Sequence, residues 1–356
     1  MGNLHRRHGI VAVTSGVLVA LVATSVSGAW ATPLDPIGGR TREDPLPKVA
    51  IVFSQMSASG DGVHLRIGDQ LGLMSRGLTA RSPGVVDDHA SRSPDGWLVL
   101  FERTTDHGSD IGIVRIAEPD VVTIVDTGCR TTPGCRGAVR PTWSFDGSRV
   151  LFTRVMARSD GSGEAASAAL YSVKLDGSDL QRVSSPTLEP GTRESAAKFS
   201  PTGRVRVFLR EQSVAGVRSS AIFKSDADGS HAQQMTPWDI DADRPSVSPA
   251  RSGITDGLVV FDASDDSSLG GRDVALMPLA CDGIDECTRW TRYVTHDHPG
   301  PWSAFGASWS PDGRSLSYAV ETARGAWATI WTATWDGTWT HPMTGWTNTF
   351  SPSWGQ

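Results

Sequence analysis

Short apolar runs alternate with polar turns along most of the chain, and the pattern is clearest between Arg140 and Ser184. Two Asp-Gly pairs in this stretch, at Gly147 and Gly177, each lie between apolar runs, which is the strongest short-range signal for a β-hairpin. Glycine suits such turns because it adopts positive φ without steric cost. The stretch therefore predicts one antiparallel sheet with these strands: Pro141–Trp143, Arg149–Val155, Ala168–Leu175 and Leu180–Val183.

The same unit recurs along the chain. A turn that begins with serine, most often Ser-Pro-Asp-Gly, precedes an apolar run each time, and these serines are Ser93, Ser144, Ser200, Ser248 and Ser310. They are spaced by 51, 56, 48 and 62 residues. A period of about 50 residues built from short strands is typical of a β-propeller rather than of a β-sandwich.

The two ends of the chain supply the strands that this repeat still lacks. Lys48–Ser54 has the character of a second strand with no such turn before it, and Thr349–Trp354 that of a first strand with nothing after it. Together they complete one blade, so the ring closes by pairing the C-terminal strand with the N-terminal blade and hides its edge strands. The sequence thus predicts an all-β, six-bladed β-propeller of four-stranded antiparallel blades.

The repeat also resembles a known family. Its pattern is Trp-Ser-Pro-Asp-Gly, an apolar strand, a loop and a second Asp-Gly turn, and it is carried by Trp309–Tyr318 with Trp331–Thr344, and by Trp143–Phe152 with Tyr171–Val183. This resembles the WD40-like (PD40) repeat of the TolB propeller family over roughly residues 48–356. The resemblance implies the fold more strongly than the function, because the same repeat occurs in envelope proteins, in peptidase propeller domains and in other secreted proteins.

Residues 1–31 have the features of a secretory signal peptide. Arg6 and Arg7 precede a mostly apolar run, and Ala29-Trp30-Ala31 fits a cleavage site. A single membrane anchor is the alternative, but the apolar run is shorter than about 18 residues. We therefore expect an exported protein, secreted or held in the cell envelope, with no membrane span after cleavage. A flexible tether at residues 32–47 would precede the propeller at residues 48–356.

The charge of the chain argues against a nucleic-acid partner. The formal net charge is −6, and removing residues 1–31, with two arginines and no acids, changes it to −8 (−6 − 2). A mildly acidic protein lacks the basic surface that binds a phosphate backbone. We expect a monomer that does not bind nucleic acid.

The four cysteines form two local pairs, Cys129 with Cys135 and Cys281 with Cys287. In an exported protein an even number of closely spaced cysteines favours disulfides. A shared zinc site is the alternative, but the predicted topology places the two pairs on opposite faces and in opposite blades, too far apart for one ion. The sequence predicts two disulfides that stabilise loops.

The connections between blades carry most of the candidate ligand-binding residues. They lie just before or within the innermost strands, so we expect them to surround the mouth of the central channel, where loops on a rigid scaffold commonly bind ligands. The alternative is an ordinary solvated rim. The candidates are Asp88, His89, Arg140, Glu194, Asp243, Arg244, His296 and His298.

His296-Asp297-His298 is the segment most like a metal site. Imidazole binds several transition metals, and a further ligand would have to come from another blade, for example from Asp243 or His89. Because His-x-His also occurs often by coincidence in loops, we predict no metal and no other cofactor. A cation at the channel mouth is kept as the alternative.

Tryptophan is concentrated near the C-terminus, where eight of the 13 lie from Trp302 onward. Trp327, Trp331 and Trp335 share one face of a strand by period-2 counting, and Trp339 follows the next turn. Packing between blades explains such a set, and stacking on sugar rings is the alternative.

These observations favour a binding protein over an enzyme. The sequence contains no Gly-x-Ser-x-Gly and no His-Glu-x-x-His motif, although carboxylates are plentiful enough to leave a glycosidase-like pair open. We expect a TolB-like, non-enzymatic scaffold that engages protein partners of the cell envelope or exterior through its loop-rich face or channel mouth. The particular partners of TolB are not expected, because only a short tether stands where that family has an N-terminal α/β domain. The alternatives are an enzyme acting on extracellular polysaccharide and a carbohydrate-binding propeller.

Overall fold

The structure is a computed structural model that describes residues 50–157, 165–184, 192–249, 253, 257–264, 271–295, 302–321 and 328–354. Within these ranges the chain forms 24 β-strands and one short α-helix, an all-β fold. No helix of the described residues has the length and apolar character needed to cross a bilayer. The predicted boundaries of the signal peptide and the tether lie outside the described residues.

The largest sheet contains 12 strands and runs from Ile51 to Arg182, with the last strand of the described chain at its edge. Its strands are β1 (Ile51–Met56), β2 (Val63–Gly68), β3 (Ser75–Gly77), β4 (Val86–Arg92), β5 (Leu98–Thr105), β6 (Gly108–Arg115), β7 (Glu118–Ile124), β8 (Cys135–Trp143), β9 (Arg149–Ala157), β10 (Ala165–Lys174), β11 (Gln181–Arg182) and β24 (Thr349–Ser353). Within it, antiparallel groups of strands are joined only by single parallel residue pairs, at Val63↔Val86 and Ser109↔Gly137.

Three further sheets have four strands each, all paired antiparallel in chain order. The second sheet contains β12 (Arg193–Phe199), β13 (Val205–Val214), β14 (Val217–Asp226) and β15 (Gln233–Gln234). The third contains β16 (Asp243–Val247), β17 (Leu258–Ser264), β18 (Arg272–Pro278) and β19 (Arg292–Tyr293). The fourth contains β20 (Ser303–Trp309), β21 (Ser315–Glu321), β22 (Thr329–Thr334) and β23 (Thr340–Thr347).

The last strand pairs with the first. β24 runs antiparallel to β1, with Val52 opposite Ser353 and Ser54 opposite Phe350. The predicted strand at Lys48–Ser54 is observed at Ile51–Met56, shifted toward the C-terminus. The two ends of the described chain therefore contribute to the same sheet, as the sequence predicted.

The serine of each repeated turn closes that turn with its side chain. Ser93 Oγ donates to Asp95 Oδ1 at 2.6 Å and accepts from the amide of Leu98 at 2.9 Å, and Gly96 has φ of 82°. Ser144 and Ser310 make the same pair of bonds. The Ser-x-Asp-Gly pattern thus fixes the hairpin because hydroxyl, carboxylate and glycine each satisfy a separate requirement of the turn.

Tryptophan and apolar strand residues connect neighbouring repeats. Trp143 Nε1 donates to the carbonyl of Ser91 at 3.0 Å, and Trp309 Nε1 donates to the carbonyl of Ser246 at 3.3 Å. The apolar faces of successive strand groups pack on each other, so that buried Phe101 shares a cluster with residues of β1 and β2. The core therefore consists of a series of layers between the groups of strands.

Both predicted disulfides are present. Cys129 is bonded to Cys135 and Cys281 to Cys287, with Cα–Cα distances of 5.4 and 5.1 Å. Cys281 and Cys287 are buried in the cluster around Phe261, so the second bridge is also part of the core.

The segment after Cys281 is helical, although it begins with an Asp-Gly pair like those of the hairpin turns. Gly283–Trp290 forms the helix α1, and Gly283 itself has φ of 74°. Asp285 and Glu286 lie in its first turn and Arg289 in its last, a charge order that favours a helix through its dipole. This local charge pattern outweighs the turn signal of Asp282-Gly283.

Candidate functional site

Six strands share an unusual feature at an equivalent position. In each of β4, β8, β12, β16, β20 and β24 the pairing register shifts, and one residue within the shift has a left-handed backbone, with φ between 47 and 67°. Such bulges redirect a side chain and are common beside functional sites. We call these residues the mouth layer: His89, Arg140, Ala196, Arg244, Gly306 and Ser351.

The mouth layer surrounds one cavity. All six of its members line a cavity of about 100 Å³, although they come from strands far apart in the sequence. Pockets that enclose small-molecule ligands are several times larger, roughly 300–1,000 Å³. The cavity therefore has room for a chemical group or a side chain rather than for a whole sugar chain.

A second layer lies two residues further along each of the same strands. We call it the hydroxyl layer, because five of its members carry a hydroxyl group and the sixth is a lysine: Ser91, Thr142, Lys198, Ser246, Ser308 and Ser353. Lys198 Nζ donates to Thr142 Oγ1 at 3.2 Å, and that oxygen lies 3.5 Å from Ser91 Oγ. Five of the six also line a smaller cavity of about 30 Å³ on the side away from the mouth.

The arginines of the mouth layer are held by carboxylates behind them. Arg140 Nη1 donates to Asp243 Oδ1 at 3.0 Å, and Arg244 Nη1 donates to Asp262 Oδ2 at 3.2 Å. Arg272 Nε donates to the same oxygen of Asp262 at 2.8 Å. Burial alone would raise the pKa of Asp243, but Arg140 and Arg244 lower it to about 2. These pairs fix the guanidinium groups before any ligand arrives.

His89 is surrounded by acidic groups. Its Nδ1 lies 3.1 Å from Glu102 Oε2, and the same oxygen accepts from the amide of Arg140 at 3.1 Å. Burial alone would lower the pKa of His89, but the carboxylates of Asp88 and Glu102 outweigh it and raise the pKa above its ordinary value. The imidazole therefore holds its proton more strongly than an exposed histidine does.

Lys198 differs from the other cations of the site because no described carboxylate lies within ion-pair distance of its Nζ. Burial lowers its pKa to about 8, and the nearby guanidinium of Arg140 lowers it in the same direction. Its ammonium group thus has a hydroxyl as its described partner, and Lys198 lines both cavities.

The structure brings together most of the predicted site. His89, Arg140 and Arg244 line the cavity. Asp243 lies behind Arg140, and Asp88 accepts from Ser54 Oγ at 2.7 Å. Glu194 is buried instead against Arg210, whose Nη2 donates to its Oε1 at 2.7 Å. His296 and His298 lie outside the described residues, so their place at the mouth stays a prediction. Within the described ranges, no group of three potential ligands is close enough to hold an ion.

Several members of the site were not predicted from the sequence. Ala196, Lys198, Gly306 and Ser351 were not among the candidates, and neither was Asp262. A positional signal exists for all of them but Ser351 and Asp262, since five of the six mouth-layer residues precede the serine of a repeated turn by four positions, as His89 precedes Ser93. Five of the six hydroxyl-layer residues, all but Ser353, precede the same serines by two positions.

Aromatic side chains form a separate feature on the outer edge near the C-terminus. Trp331 packs edge-to-face on Trp302, with ring centroids 5.6 Å apart, and Trp335 packs against the same cluster. Trp339 is 55% exposed and stacks on His341 at 5.6 Å. The expected core packing is thus observed for Trp331 and Trp335, while Trp339 faces solvent. Trp327 lies outside the described residues.

Solved structures with the same architecture place the fold in the β-propeller class. TolB from Acinetobacter baumannii aligns with a TM-score of 0.58 and 18% identity over 86% of this chain and 66% of that chain. A putative TolB from Agrobacterium tumefaciens aligns with a TM-score of 0.55 and 14% identity over 83% of this chain and 87% of that chain. A chain of a nidogen/laminin complex aligns with a TM-score of 0.54 and 10% identity over 85% of this chain and 97% of that chain.

These likenesses establish a TolB-like β-propeller fold, as the sequence predicted. The identities are too low to transfer function, and this chain spans 66% of the length of the A. baumannii TolB chain. No protein-family model matches the sequence, and no curated protein matches it either. Membership of the PD40 repeat family therefore stays a prediction.

Proposed function

We propose that this chain is an exported, six-bladed propeller that binds a protein partner at its channel mouth and does not act as an enzyme. The observation that carries the proposal is the mouth layer, because six strands each use a bulge with a left-handed residue to place that residue on the wall of the same cavity. A left-handed backbone costs a non-glycine residue roughly 1–3 kcal/mol, so a structure that keeps five such residues beside Gly306 has an arrangement that the rest of the fold must stabilise.

The geometry favours a partner that inserts a side chain or chain end and rests the remainder on the surrounding loops. The cavity of about 100 Å³ admits a small group, and its arginines are already held by Asp243 and Asp262. Preorganised polar groups lower the entropy cost of binding. Pairing of β24 with β1, together with the single-pair links within the large sheet, supports six blades arranged in a closed ring.

Photo-cross-linking can test the location of the partner. The β13–β14 hairpin lies at the mouth end of the strands, because Arg193 at the start of β12 pairs with Glu211 near the end of β13. A photoreactive amino acid at Val217, 70% exposed on this hairpin, should form cross-links in the host's exported fraction. The same probe at Phe145, 52% exposed in a turn at the other end, is the matched control.

The expected result is a discrete cross-linked species from position 217 that weakens when Arg140→Met is introduced. Cross-links of equal yield from positions 217 and 145, or a species indifferent to Arg140→Met, would contradict binding at the mouth.

A second candidate function is carbohydrate binding at the aromatic edge. It is favoured by the exposure of Trp339 together with that of Trp290, which is 60% exposed, because exposed indole rings stack well on sugars. Trp339→Ala is the suitable variant, since Trp335 also packs in the core and its loss would disturb folding. Retention on immobilised polysaccharide that disappears in Trp339→Ala, with unchanged thermal unfolding, would support this function; equal retention of both proteins would reject it.

A further inference from the structure

The charged side chains that line the two cavities are all basic. The larger cavity is lined by His89, Arg140, Lys198 and Arg244, and the smaller one by Arg92 and Lys198. Among the described residues no carboxylate lines either cavity. Asp243 and Asp262, the carboxylates that pair with Arg140 and Arg244, are not lining residues. The described lining of both cavities is therefore cationic, although the chain as a whole carries a formal charge of −6.

Lys198 is the exceptional member of this lining. At the corresponding position of the five other inner strands stands serine or threonine, so one ammonium group replaces one hydroxyl in an otherwise hydroxyl-bearing layer. Arg140 and Arg244 each have a carboxylate partner, whereas Lys198 has the hydroxyl of Thr142. A cation removed from bulk water without a counter-charge is unfavourable, and an anion beside it would restore the balance.

We propose that the hydroxyl layer is a binding site for an oxyanion, a carboxylate above all, with the Lys198 ammonium as its main partner. The hydroxyl groups of Ser91 and Thr142, 3.5 Å apart, and those of Ser246, Ser308 and Ser353 around the same channel are hydrogen-bond donors for the oxygens of such a group. The inference rests on the proposed function only in taking the channel mouth as the route of access. The carboxylate is supplied either by an acidic residue or chain end of the partner or by a small free anion.

The scarcity of lysine makes the site directly measurable. The chain has four lysines, Lys48, Lys174, Lys198 and Lys224, so reductive methylation with 13C-formaldehyde gives few resonances, each of which titrates with its own amine. Lys198→Ser completes the hydroxyl layer and identifies the Lys198 signal by its loss. Lys174→Ser is the matched control, because Lys174 is 53% exposed and lies 4.0 Å from Asp179 in a surface turn.

The probes are sodium acetate, sodium sulfate, and the capped peptides acetyl-Gly-Gly-Asp-amide and acetyl-Gly-Gly-Asn-amide at constant ionic strength. An anion bound beside Lys198 should raise the pKa of that amine by about one unit or more and leave that of Lys174 unchanged. Lys198→Ser should weaken binding of the Asp peptide by about tenfold to a hundredfold, and the Asn peptide should not bind.

The outcomes distinguish a carboxylate on a partner from a free anion, and they test the oxyanion site separately from the proposed binding of a protein partner. An Asp peptide that binds more tightly than acetate identifies a carboxylate on a partner, and equal affinities identify a free anion; both support the oxyanion site. If none of the anions moves the pKa of Lys198, or if the Asn peptide binds as well as the Asp peptide, the oxyanion site is wrong. The cross-linking from Val217 would still test the proposed function, because its readout does not require Lys198.

Discussion

Arg140 and Asp243 lie 103 positions apart in the sequence, yet their side chains form an ion pair with an Nη1–Oδ1 distance of 3.0 Å. The pair joins β8 to β16 beside the cavity, and Asp243 also accepts from the amide of Arg244 at 2.7 Å. Arg140 lines the cavity while Asp243 does not. One contact therefore ties together distant repeats and leaves the cationic partner, not the anionic one, on the cavity wall.

Removing the carboxylate should destabilise the fold. We expect Asp243→Asn to lower the free energy of unfolding at neutral pH by about 2 kcal/mol, because Arg140 and Arg244 hold the pKa of Asp243 at about 2 against an ordinary value of 3.8. Urea denaturation measures the change. Asp106→Asn, which neutralises an exposed carboxylate, is the control and should change stability by less than about 0.5 kcal/mol.

The same substitution predicts a pH dependence. A carboxyl group whose pKa is depressed in the folded state stabilises the fold above its unfolded pKa, and this stabilisation is lost as the pH falls through the folded pKa. The difference in stability between the wild type and Asp243→Asn should therefore be constant above about pH 4 and shrink between pH 3.8 and about 2. A difference that does not change over this range would mean that packing, and not charge, is responsible.

Lys198 should weaken the fold in the absence of a ligand. Its pKa of about 8 lies below the ordinary 10.5, so the folded protein binds fewer protons than the unfolded chain between these values and stability rises with pH there. We expect Lys198→Ser to be more stable than the wild type at pH 7 by about 1–3 kcal/mol. This advantage should fall between pH 8 and 10.5; a wild type that is equally stable or more stable at pH 7 would contradict the placement of an uncompensated cation.

The left-handed backbone of the mouth layer predicts that replacing a glycine by alanine destabilises the fold at Gly306 but not at Gly77. Gly306 has φ of 67°, and a Cβ there would meet only Arg244 Cδ at 3.7 Å, so Gly306→Ala should cost about 1–2 kcal/mol through backbone strain alone. Gly77 lies in β3 with open space around it and without positive φ, so Gly77→Ala should be neutral or slightly stabilising. Thermal unfolding of both variants checks the contrast, and equal effects would argue against strain at the bulge.

The sequence was informative where structure is decided locally. Asp-Gly turns, alternating apolar runs and closely spaced cysteines predicted the hairpins and both disulfides, because each feature depends on a few neighbouring residues. Arg140 and Arg244 were predicted because they precede innermost strands. The left-handed backbone at Ala196 was not predicted, because alanine has no preference for that conformation and the bulge arises from the pairing of β12 with β13.

Lys198 shows why the rest of the site was missed. It stands between Ala197 and Phe199 in a strand-like run, where a single lysine is ordinarily a solvent-facing residue. Its position in the channel depends on the register of β12 and on the five strands around it, which no local pattern encodes. The position two residues before the turn serine becomes informative only when all the repeats are aligned on that serine.

The claim that a partner is recognised at the channel mouth is tested most directly by measuring the cross-link from position 217 in a variant whose Arg140 and Asp243 are exchanged. The double variant Arg140→Asp/Asp243→Arg keeps opposite charges at the same two positions but places a carboxylate on the cavity wall, and aspartate tolerates the left-handed backbone of position 140. We predict that it folds with a stability within about 2 kcal/mol of the wild type and loses the cross-link from position 217. A well-folded double variant that cross-links as the wild type does would contradict recognition at the channel mouth.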